Sequence, residues 1–272
     1  MRLLLLGVRG SVPAPGADFV RYGGQTSCVV ITADGADAPT LVLDAGTGLR
    51  ALTARLGGAA YRGAILLSHL HWDHMWGLPF FAAGDRSGAD VDLYLPAQDG
   101  VSARDLLARS MAPPIFPIPP EGLLGRWAFH GLEPGRHEIA GFTVTAAEIE
   151  HKGGRAYGYR VEDRSGSVAY LPDHPPSAGV SAQTWALLDG VDVLLHDAQF
   201  LTAERAAADL YGHATVEDAV ALAEQAAVGQ LVLFHHSPTR TDDQLDAIAA
   251  GLGAAVPTSV AREGDEITVG RP

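Results

Sequence analysis

The chain has 272 residues, of which 47% are hydrophobic and 19% charged, an ordinary balance for a globular protein with a substantial core. Its net charge of −13 argues against non-specific nucleic-acid binding, because that binding depends on a basic surface. The single cysteine, Cys28, excludes an intramolecular disulfide. No stretch approaches the roughly 20 apolar residues of a membrane span, so we expect a cytoplasmic protein without membrane attachment.

The first half of the chain is predicted to consist mainly of short strands. The N-terminal apolar run ends before Arg9, too early for a signal peptide, so we interpret it as the first strand. Helices are predicted over residues 49–56 and from a cap at Ser102 to residue 107. The proline-rich residues 112–120 are predicted to form an extended surface loop. Strands are predicted at residues 3–8, 28–32, 40–43, 64–67 and 91–95.

Strands and helices alternate more regularly towards the C-terminal end. Helices are predicted over residues 216–227 and 242–252, the second with a capping box of Thr241 and Gln244. Strands are predicted at residues 142–149, 157–161, 168–171, 191–195 and 231–234. This order suits one domain over residues 1–272 in which helices cover mixed β-sheets.

The most informative stretch follows the predicted strand at residues 64–67 and runs Ser68-His69-Leu70-His71-Trp72-Asp73-His74. Imidazole and carboxylate are ligands of Zn²⁺, Fe and Mn²⁺. Because side chains alternate along an extended segment, His69 and His71 are expected to share one face. Asp73 and His74 follow as the chain turns and can serve a second ion. A turn that is rich in histidine by coincidence is the alternative, but the order of these residues at a strand end favours a two-metal site.

Three further ligand-type residues leave predicted strands in the same way. His151, Asp173 and His235 each come within two residues of a strand end. A polar residue at a strand end is commonplace, so each of them alone is equally compatible with no function. Their shared position favours a single site.

With these residues the chain resembles the metallo-β-lactamase superfamily. The resemblance covers residues 3–240 and rests on H-x-H-x-D-H at residues 69–74, on the three later residues, and on an Asp-x-Gly turn at residues 44–46. It implies an α/β (α+β) fold, an αββα sandwich of two mixed β-sheets flanked by helices, with a dinuclear centre at one edge between the sheets.

The resemblance also implies which residues bind metal. It assigns seven ligands to two ions: His69, His71 and His151 to the first, Asp73, His74 and His235 to the second, and Asp173 as the bridge. His236 is the nearest rival for the last position, but His235 is the first residue after its strand. We expect two divalent ions, zinc first, with manganese or iron as alternatives.

Further elements resemble the phosphodiesterase branch of the superfamily, which includes tRNase Z and small cyclic-phosphate phosphodiesterases. They are Tyr-Gly-His-Ala-Thr at residues 211–215, the segment at residues 231–237, and His196-Asp197-Ala198. Asp197 stands where tRNase Z usually has glutamate, which leaves its partner open. In tRNase Z a long arm that grips tRNA separates the third-motif histidine from the bridging aspartate. Here only 22 positions separate His151 from Asp173, and a predicted hairpin fills them, so no arm fits.

The leading hypothesis is a metal-dependent phosphodiesterase that cleaves a small, cyclic phosphodiester with a hydroxide activated by the dinuclear centre. Asp73 is expected to bind metal and orient the nucleophile, and His213 to protonate the leaving alkoxide while Asp197 holds its ring. A capping role at a helix entry is the alternative for His213. The candidate phosphate contacts are Arg9, Arg21, Lys152 and Arg240. For each of them, however, a solvated surface charge is the favoured interpretation.

Other functions stay open. A carboxyl-ester, lactone or thioester hydrolase of the same superfamily would use the same hydroxide without needing His213. A tRNA 3′-processing nuclease is disfavoured by the missing arm, and a non-catalytic metal-binding module would show no turnover. Relatives in this branch are often dimers, so a homodimer is also left open. The sequence fixes neither the physiological substrate nor the native metal.

Overall fold

The chain is built from short strands and helices, and the computed structural model describes residues 1–98 and 100–270. The strands are β1 (Arg2–Gly7), β2 (Cys28–Thr32), β3 (Leu41–Leu43), β4 (Arg62–Leu66), β5 (Asp90–Pro96), β6 (Arg126–Leu132), β7 (Gly135–Ile139), β8 (Phe142–Ile149), β9 (Ala156–Asp163), β10 (Gly166–Leu171), β11 (Val193–Asp197), β12 (Gln230–Phe234), β13 (Thr258–Val260) and β14 (Glu266–Thr268). The α-helices are α1 (Leu52–Arg55), α2 (Trp72–Met75), α3 (Ala103–Ala108), α4 (Ala182–Leu188), α5 (Arg205–Tyr211), α6 (Val216–Gln225) and α7 (Asp242–Gly251). Among the described residues no helix has the length and apolar character needed to cross a membrane.

These strands form two seven-stranded sheets, with the orders β14-β1-β2-β3-β4-β5-β6 and β13-β12-β11-β10-β9-β8-β7. Neighbouring strands from β3 to β6 run parallel, as do those from β10 to β13. The other neighbours are antiparallel. Both sheets are therefore mixed, as predicted.

The main hydrophobic core lies between the two sheets. Leu3 and Val29 of the first sheet meet Val144 and Phe234 of the second in this layer. Because side chains alternate along a strand, Cys28 faces the opposite way, into an outer layer with α1 and α3. The outer face of the second sheet packs against α4, α6 and α7. The four layers confirm the αββα sandwich.

Polar residues that leave the strands meet at one edge of the sandwich. Parallel strands bring their carboxyl ends to the same edge of a sheet. β8 runs antiparallel to β9, and β9 antiparallel to β10, so β8 ends at the same edge as β10. The residues placed at this edge are Asp44 after β3, Ser68 after β4, His151 after β8, Asp173 after β10 and His235 after β12.

Several elements differ from the sequence prediction. The helix predicted at residues 49–56 is a 3₁₀ helix, Thr47–Ala51, continued by the single turn α1. Residues 112–120 lie at the surface but are not extended, because the amides of Ile115 and Phe116 both donate to the Ala112 carbonyl at 2.9 Å. The sequence patterns predict no strand for β7, which is an edge strand with mostly exposed, polar side chains.

Candidate metal centre

The short helix α2 positions the histidine-rich stretch at the edge between the sheets. The chain is extended at His71 (φ −67°, ψ 153°) and then turns into α2, which carries Asp73 and His74. The Ala45 amide donates to the His74 carbonyl at 2.7 Å, so backbone bonds hold the helix against the turn after β3. A Cβ at Gly46 would lie 2.2 Å from the Asp73 carbonyl oxygen. This close approach explains the glycine of the Asp-x-Gly turn.

Asp173 lies at the centre of the predicted ligands, with one oxygen towards each group. Its Oδ2 is 3.6 Å from His69 Nε2 and 3.3 Å from His151 Nε2. Its Oδ1 is 3.2 Å from His74 Nε2 and 3.0 Å from His235 Nε2. One carboxylate therefore faces two sets of ligand atoms, as a bridging ligand must.

The two remaining predicted ligands complete these sets. His71 Nδ1 lies 3.3 Å from His151 Nε2. Asp73 Oδ2 lies 3.2 Å from the Nε2 atoms of both His74 and His235. In each set the ligand atoms lie within 4.8 Å of one another, and the sets are His69, His71, His151 and Asp173, and Asp73, His74 and His235. The structure thus brings all seven sequence-predicted side chains together, and we refer to them as the seven-residue cluster.

The donor set of the cluster fits two divalent cations. A tetrahedral zinc site with bonds of about 2.1 Å has neighbouring ligand atoms about 3.4 Å apart. The shortest separations in the cluster, from 3.0 to 3.6 Å, are close to that value. Within the described residues, the buried atoms His69 Nε2 and Asp173 Oδ1 make no hydrogen bond of suitable geometry, although Oδ1 lies 3.0 Å from His235 Nε2. Buried polar atoms need a partner, and a cation would satisfy both.

Neighbouring oxygens determine which nitrogen His69 and His151 present to the cluster. Ser68 Oγ lies 3.0 Å from His69 Nδ1, and the Gly212 carbonyl lies 3.0 Å from His151 Nδ1. When Nδ1–H donates to these oxygens, Nε2 keeps its lone pair and faces Asp173. Fixing the tautomer and the ring in this way is typical of metal-binding histidines.

Asp44 orients the ring of His74 by bonding the ring nitrogen that faces away from Asp173. It is not among the predicted site residues. Its carboxylate is fully buried and accepts from His74 Nδ1 at 2.7 Å and from the Tyr170 hydroxyl at 2.8 Å. The Ser68 amide and hydroxyl also donate to it, at 2.6 and 2.8 Å. The Asp-x-Gly turn at residues 44–46 is the sequence signal for this residue, although no role follows from the sequence alone.

The charge balance of the cluster favours cations. Burial, and then repulsion from His74, lowers the pKa of His69 well below its ordinary value, so its ring is neutral. Burial alone would lower the pKa of His74, but the nearby carboxylates, Asp73 first, raise it well above its ordinary value. Burial would raise the pKa of Asp173, but the surrounding histidines, His235 first, hold it well below its ordinary value. The carboxylates therefore draw positive charge into the cluster, which bound cations would supply.

His213 lies beside the cluster and is held by Asp197 at the end of β11. The ring donates from Nδ1 to Asp197 Oδ2 at 3.0 Å and stacks on the His235 ring, with centroids 5.2 Å apart. The Ala214 amide donates to the same oxygen at 3.1 Å, so Asp197 fixes the backbone as well as the ring. Burial would lower the pKa of His213, but the attraction of Asp197 outweighs it and raises the pKa to about 9. The partner of Asp197, left open by the sequence, is therefore His213.

His235, rather than His236, reaches the cluster. His236 Nε2 donates to the Ala261 carbonyl at 2.9 Å, and burial lowers its pKa to about 3. His235 has a φ of 58°, a left-handed conformation that residues other than glycine rarely adopt. Such backbone strain is found preferentially at functional sites.

The loop after β1 makes two contacts with the cluster that sequence reasoning misses. The Ser11 amide donates to Asp73 Oδ2 at 2.6 Å. A Cβ at Gly10 would lie 2.3 Å from two atoms of the His235 ring, so this glycine leaves the space that the ring fills. The loop has no hydrophobic periodicity, and no sequence signal identifies these contacts before the chain is folded.

Arg9 and Arg240 are not the solvated surface charges that the sequence interpretation favours. Arg9 is fully buried and donates to the Gly23, Ser237 and Arg240 carbonyls at 2.7, 3.1 and 2.6 Å. The Arg240 side chain is largely buried and pairs with Glu204. Arg9 thus joins the loop after β1 to the segment after β12.

The other two candidate phosphate contacts are also engaged within the protein. Arg21 pairs with Asp243 and Asp246 at 2.6 Å at the surface. The Lys152 ammonium donates to the Asp209 carbonyl at 3.0 Å. None of the four cations is therefore an obvious phosphate ligand.

Two adjoining cavities give access to the cluster. The first is an open cleft of about 580 Å³, lined by residues that include Asp73, His151, Asp173 and His213. The second, of about 440 Å³, shares Leu70, His71 and Trp72 with the first. The cleft is large enough to bring a small molecule to the cluster.

Comparisons with known proteins agree with this fold. A ribonuclease Z of Bradyrhizobium sp. (strain ORS 278) is 28% identical, over 98% of this chain and 99% of that protein. The crystal structure of a new diphosphatase from the PhnP family has a TM-score of 0.74 at 22% identity, over 98% of this chain and 97% of that one. Human tRNase Z, short form, has a TM-score of 0.70 at 22% identity, over 99% of both chains. These structural likenesses show the shared fold.

A family model also matches most of the chain. The model, described as a beta-lactamase superfamily domain, matches residues 40–236, a range that contains all seven residues of the cluster. The relatives found by sequence are named as ribonucleases, and the donor set of the cluster fits divalent metal. The chain therefore belongs to the beta-lactamase superfamily and is a metal-dependent hydrolase.

Proposed function

We propose that the chain is a phosphodiesterase that cleaves a small, cyclic phosphodiester. The observation that carries this proposal is the buried His213–Asp197 pair beside the cluster. An alkyl phosphodiester releases an alkoxide, which needs a proton, and an acid held next to the reacting bond accelerates that step. Among the alternative carboxyl hydrolases, a thioester hydrolase releases a thiolate and needs no such acid, whereas an ester or lactone hydrolase also releases an alkoxide.

The same proposal includes the metal ligands. We assign His69, His71 and His151 to one divalent ion, Asp73, His74 and His235 to the other, and Asp173 to both. The placement of the two Asp173 oxygens, 3.3 Å from His151 Nε2 and 3.0 Å from His235 Nε2, supports this division. Zinc is the first choice, and manganese or iron are alternatives, because nitrogen and carboxylate ligands suit all three.

The residues of the chain then have distinct roles. Two divalent ions in such a site lower the pKa of a water and neutralise charge that builds on the phosphoryl oxygens. Asp73, fixed by the Ser11 amide, orients the attacking water. His213 uses Nδ1 to bond Asp197 and therefore has Nε2 available to donate a proton to the leaving oxygen in the cleft.

A small substrate is supported by the structure between His151 and Asp173. β9 and β10 form a tight hairpin in this interval, with Asp163 paired to Gly166. The hairpin fills the position at which tRNase Z carries its arm. The net charge of −13 also disfavours a large polyanion as substrate.

The names of the relatives favour attack at phosphorus over attack at a carbonyl. The sequence relatives are named ribonuclease Z or ribonuclease BN, and a structural relative is named a diphosphatase. Cleavage of RNA by this chain is the alternative that those names keep open. A homodimer also stays a prediction, which light scattering would test.

The test compares leaving groups in the metal-reconstituted protein. p-Nitrophenolate leaves without a proton, whereas the ribose oxygen of a 2′,3′-cyclic phosphate needs one. Replacing His213 with alanine is expected to lower kcat by about 10²- to 10⁴-fold for the cyclic substrate, and far less for bis(p-nitrophenyl) phosphate. His137→Ala, on the edge strand β7, is the matched control and should change neither rate.

Two outcomes would count against the proposal. Equal losses with both leaving groups would remove the acid role of His213. Turnover of p-nitrophenyl acetate or a lactone without phosphodiester turnover would replace the phosphodiesterase with a carboxyl hydrolase.

A further inference from the structure

An exposed tryptophan stands at the mouth of both cavities next to the cluster. Trp72 lies between two predicted ligands, His71 and Asp73, and lines both the 580 Å³ cleft and the 440 Å³ cavity. Its side chain is 59% exposed. Its exposure beside the cluster offers a flat aromatic face to a molecule in the cleft.

The Trp72 ring is held in place before any ligand binds. It stacks on Trp76, with ring centroids 4.8 Å apart and an angle of 18° between the planes. The Trp76 amide donates to the Trp72 carbonyl at 2.9 Å, so the backbone of α2 fixes the spacing of the two rings. Because α2 also carries Asp73 and His74, the indole has a fixed position relative to the cluster.

Other aromatic residues line the same cleft. Phe200 and Tyr211 come from the segments after β11 and at the end of α5, and Tyr211 is 60% exposed. The Phe200 ring lies 6.0 Å from the His213 ring, centroid to centroid. A sugar cyclic phosphate without a base would contact these aromatic surfaces only through the C–H groups of its puckered ring. A flat aromatic group attached to the phosphodiester would cover them.

We propose that Trp72 is a stacking platform for a nucleobase, so that the substrate is a cyclic phosphodiester of a nucleoside. The identity of the substrate class rests on the proposed phosphodiesterase activity. Every base offers a flat face to an aromatic ring, so the platform selects nucleotides as a class without selecting one base. The position of Trp72 beside Asp73 places this recognition next to the bond to be cleaved.

The kinetic test uses two cyclic phosphates that differ by a base, 2′,3′-cyclic AMP and glycerol 1,2-cyclic phosphate. Replacing Trp72 with alanine is expected to lower kcat/KM for the nucleotide by about 5- to 100-fold and to leave that for the glycerol compound unchanged. Trp72→Phe should keep most of the nucleotide activity, because it keeps an aromatic face. Phe80→Ala removes another exposed aromatic residue, packed on Phe116, and is the matched control with no expected effect.

A binding test separates failure of the platform from failure of the proposed function. Calorimetry compares AMP with ribose 5-phosphate on the metal-reconstituted protein and needs no turnover. If Trp72 is a stacking platform, AMP binds more tightly than ribose 5-phosphate, and Trp72→Ala removes that difference in affinity. Equal binding of the two compounds by the unaltered protein, or equal kinetic losses on both cyclic phosphates, would overturn the proposal. Light scattering that shows a dimer broken by Trp72→Ala would instead assign the exposed ring to contact with a second copy and overturn it as well.

Discussion

At the scale of single residues, the centre depends on side chains that bind no metal themselves. Asp44 fixes the ring of His74, and Ser68 links Asp44 to His69 through one hydroxyl. These bonds decide which imidazole nitrogen faces Asp173. Sequence reasoning finds the residues of the seven-residue cluster because their residue types are distinctive, but it does not find these supporting bonds, which depend on contacts between distant segments.

Replacing Asp44 with asparagine is expected to weaken metal binding by about 10- to 100-fold, chiefly at the His74 side. The Asp44 carboxylate accepts four hydrogen bonds, from two Ser68 groups, His74 and Tyr170. An asparagine side chain has only one oxygen. Its NH₂ group would face one of these hydrogen-bond donors and could not accept from it. Metal titration by calorimetry measures the effect, with Asp92→Asn on β5 as the control.

An Asp44→Asn protein that binds two ions with unaltered affinity would show that the orientation of His74 does not depend on Asp44.

At the scale of elements, the loop after β1 and the turn after β12 form the wall behind His235. The two segments are joined by a backbone bridge between Arg9 and His236 and by the buried Arg9 side chain. Gly10 lies between them against the His235 ring. The packing of this wall therefore fixes where one ligand of the cluster stands.

Replacing Gly10 with alanine is expected to displace the His235 ring, because the new Cβ would lie 2.3 Å from it. Overpacking of this kind typically costs about 1–3 kcal/mol of the free energy of unfolding. Denaturant unfolding and metal stoichiometry measure the two effects. Gly253→Ala is the matched control, because a Cβ there meets nothing within 4 Å. If Gly10→Ala keeps both the stability and the metal content, the wall is less rigid than its contacts indicate.

The sequence predicts the interior strands and the strand-end residues of the seven-residue cluster well, because apolar runs followed by ligand-type residues are strong local signals. It predicts no strand for β6, β7, β13 or β14. β6 and β7 are edge strands with partly exposed side chains, and β13 and β14 have three residues each, too few to show a period. The surface helix α5 is also missed, because Arg-Ala-Ala-Ala-Asp-Leu-Tyr has no clear apolar stripe.

At the scale of the whole molecule, two packed sheets bring carboxyl-terminal strand ends together, and the cluster forms where they meet. The ligands come from four strand ends that are far apart in the chain, so the site exists only in the folded protein. Divalent ions that bind the folded state are expected to stabilise it by linkage. The compact β9–β10 hairpin and the acidic net charge are the whole-molecule features on which our proposal of a small substrate rests.

The most direct test of the central claim is hydrolysis of bis(p-nitrophenyl) phosphate by the chelated protein and by the same protein reconstituted with Zn²⁺ or Mn²⁺. A dinuclear phosphodiesterase predicts no turnover after chelation and restored turnover with metal. Asp73→Ala, which removes a ligand and the group that orients the water, should abolish the restored activity. Phosphodiester turnover that survives chelation, or that is unchanged in Asp73→Ala, would contradict the account.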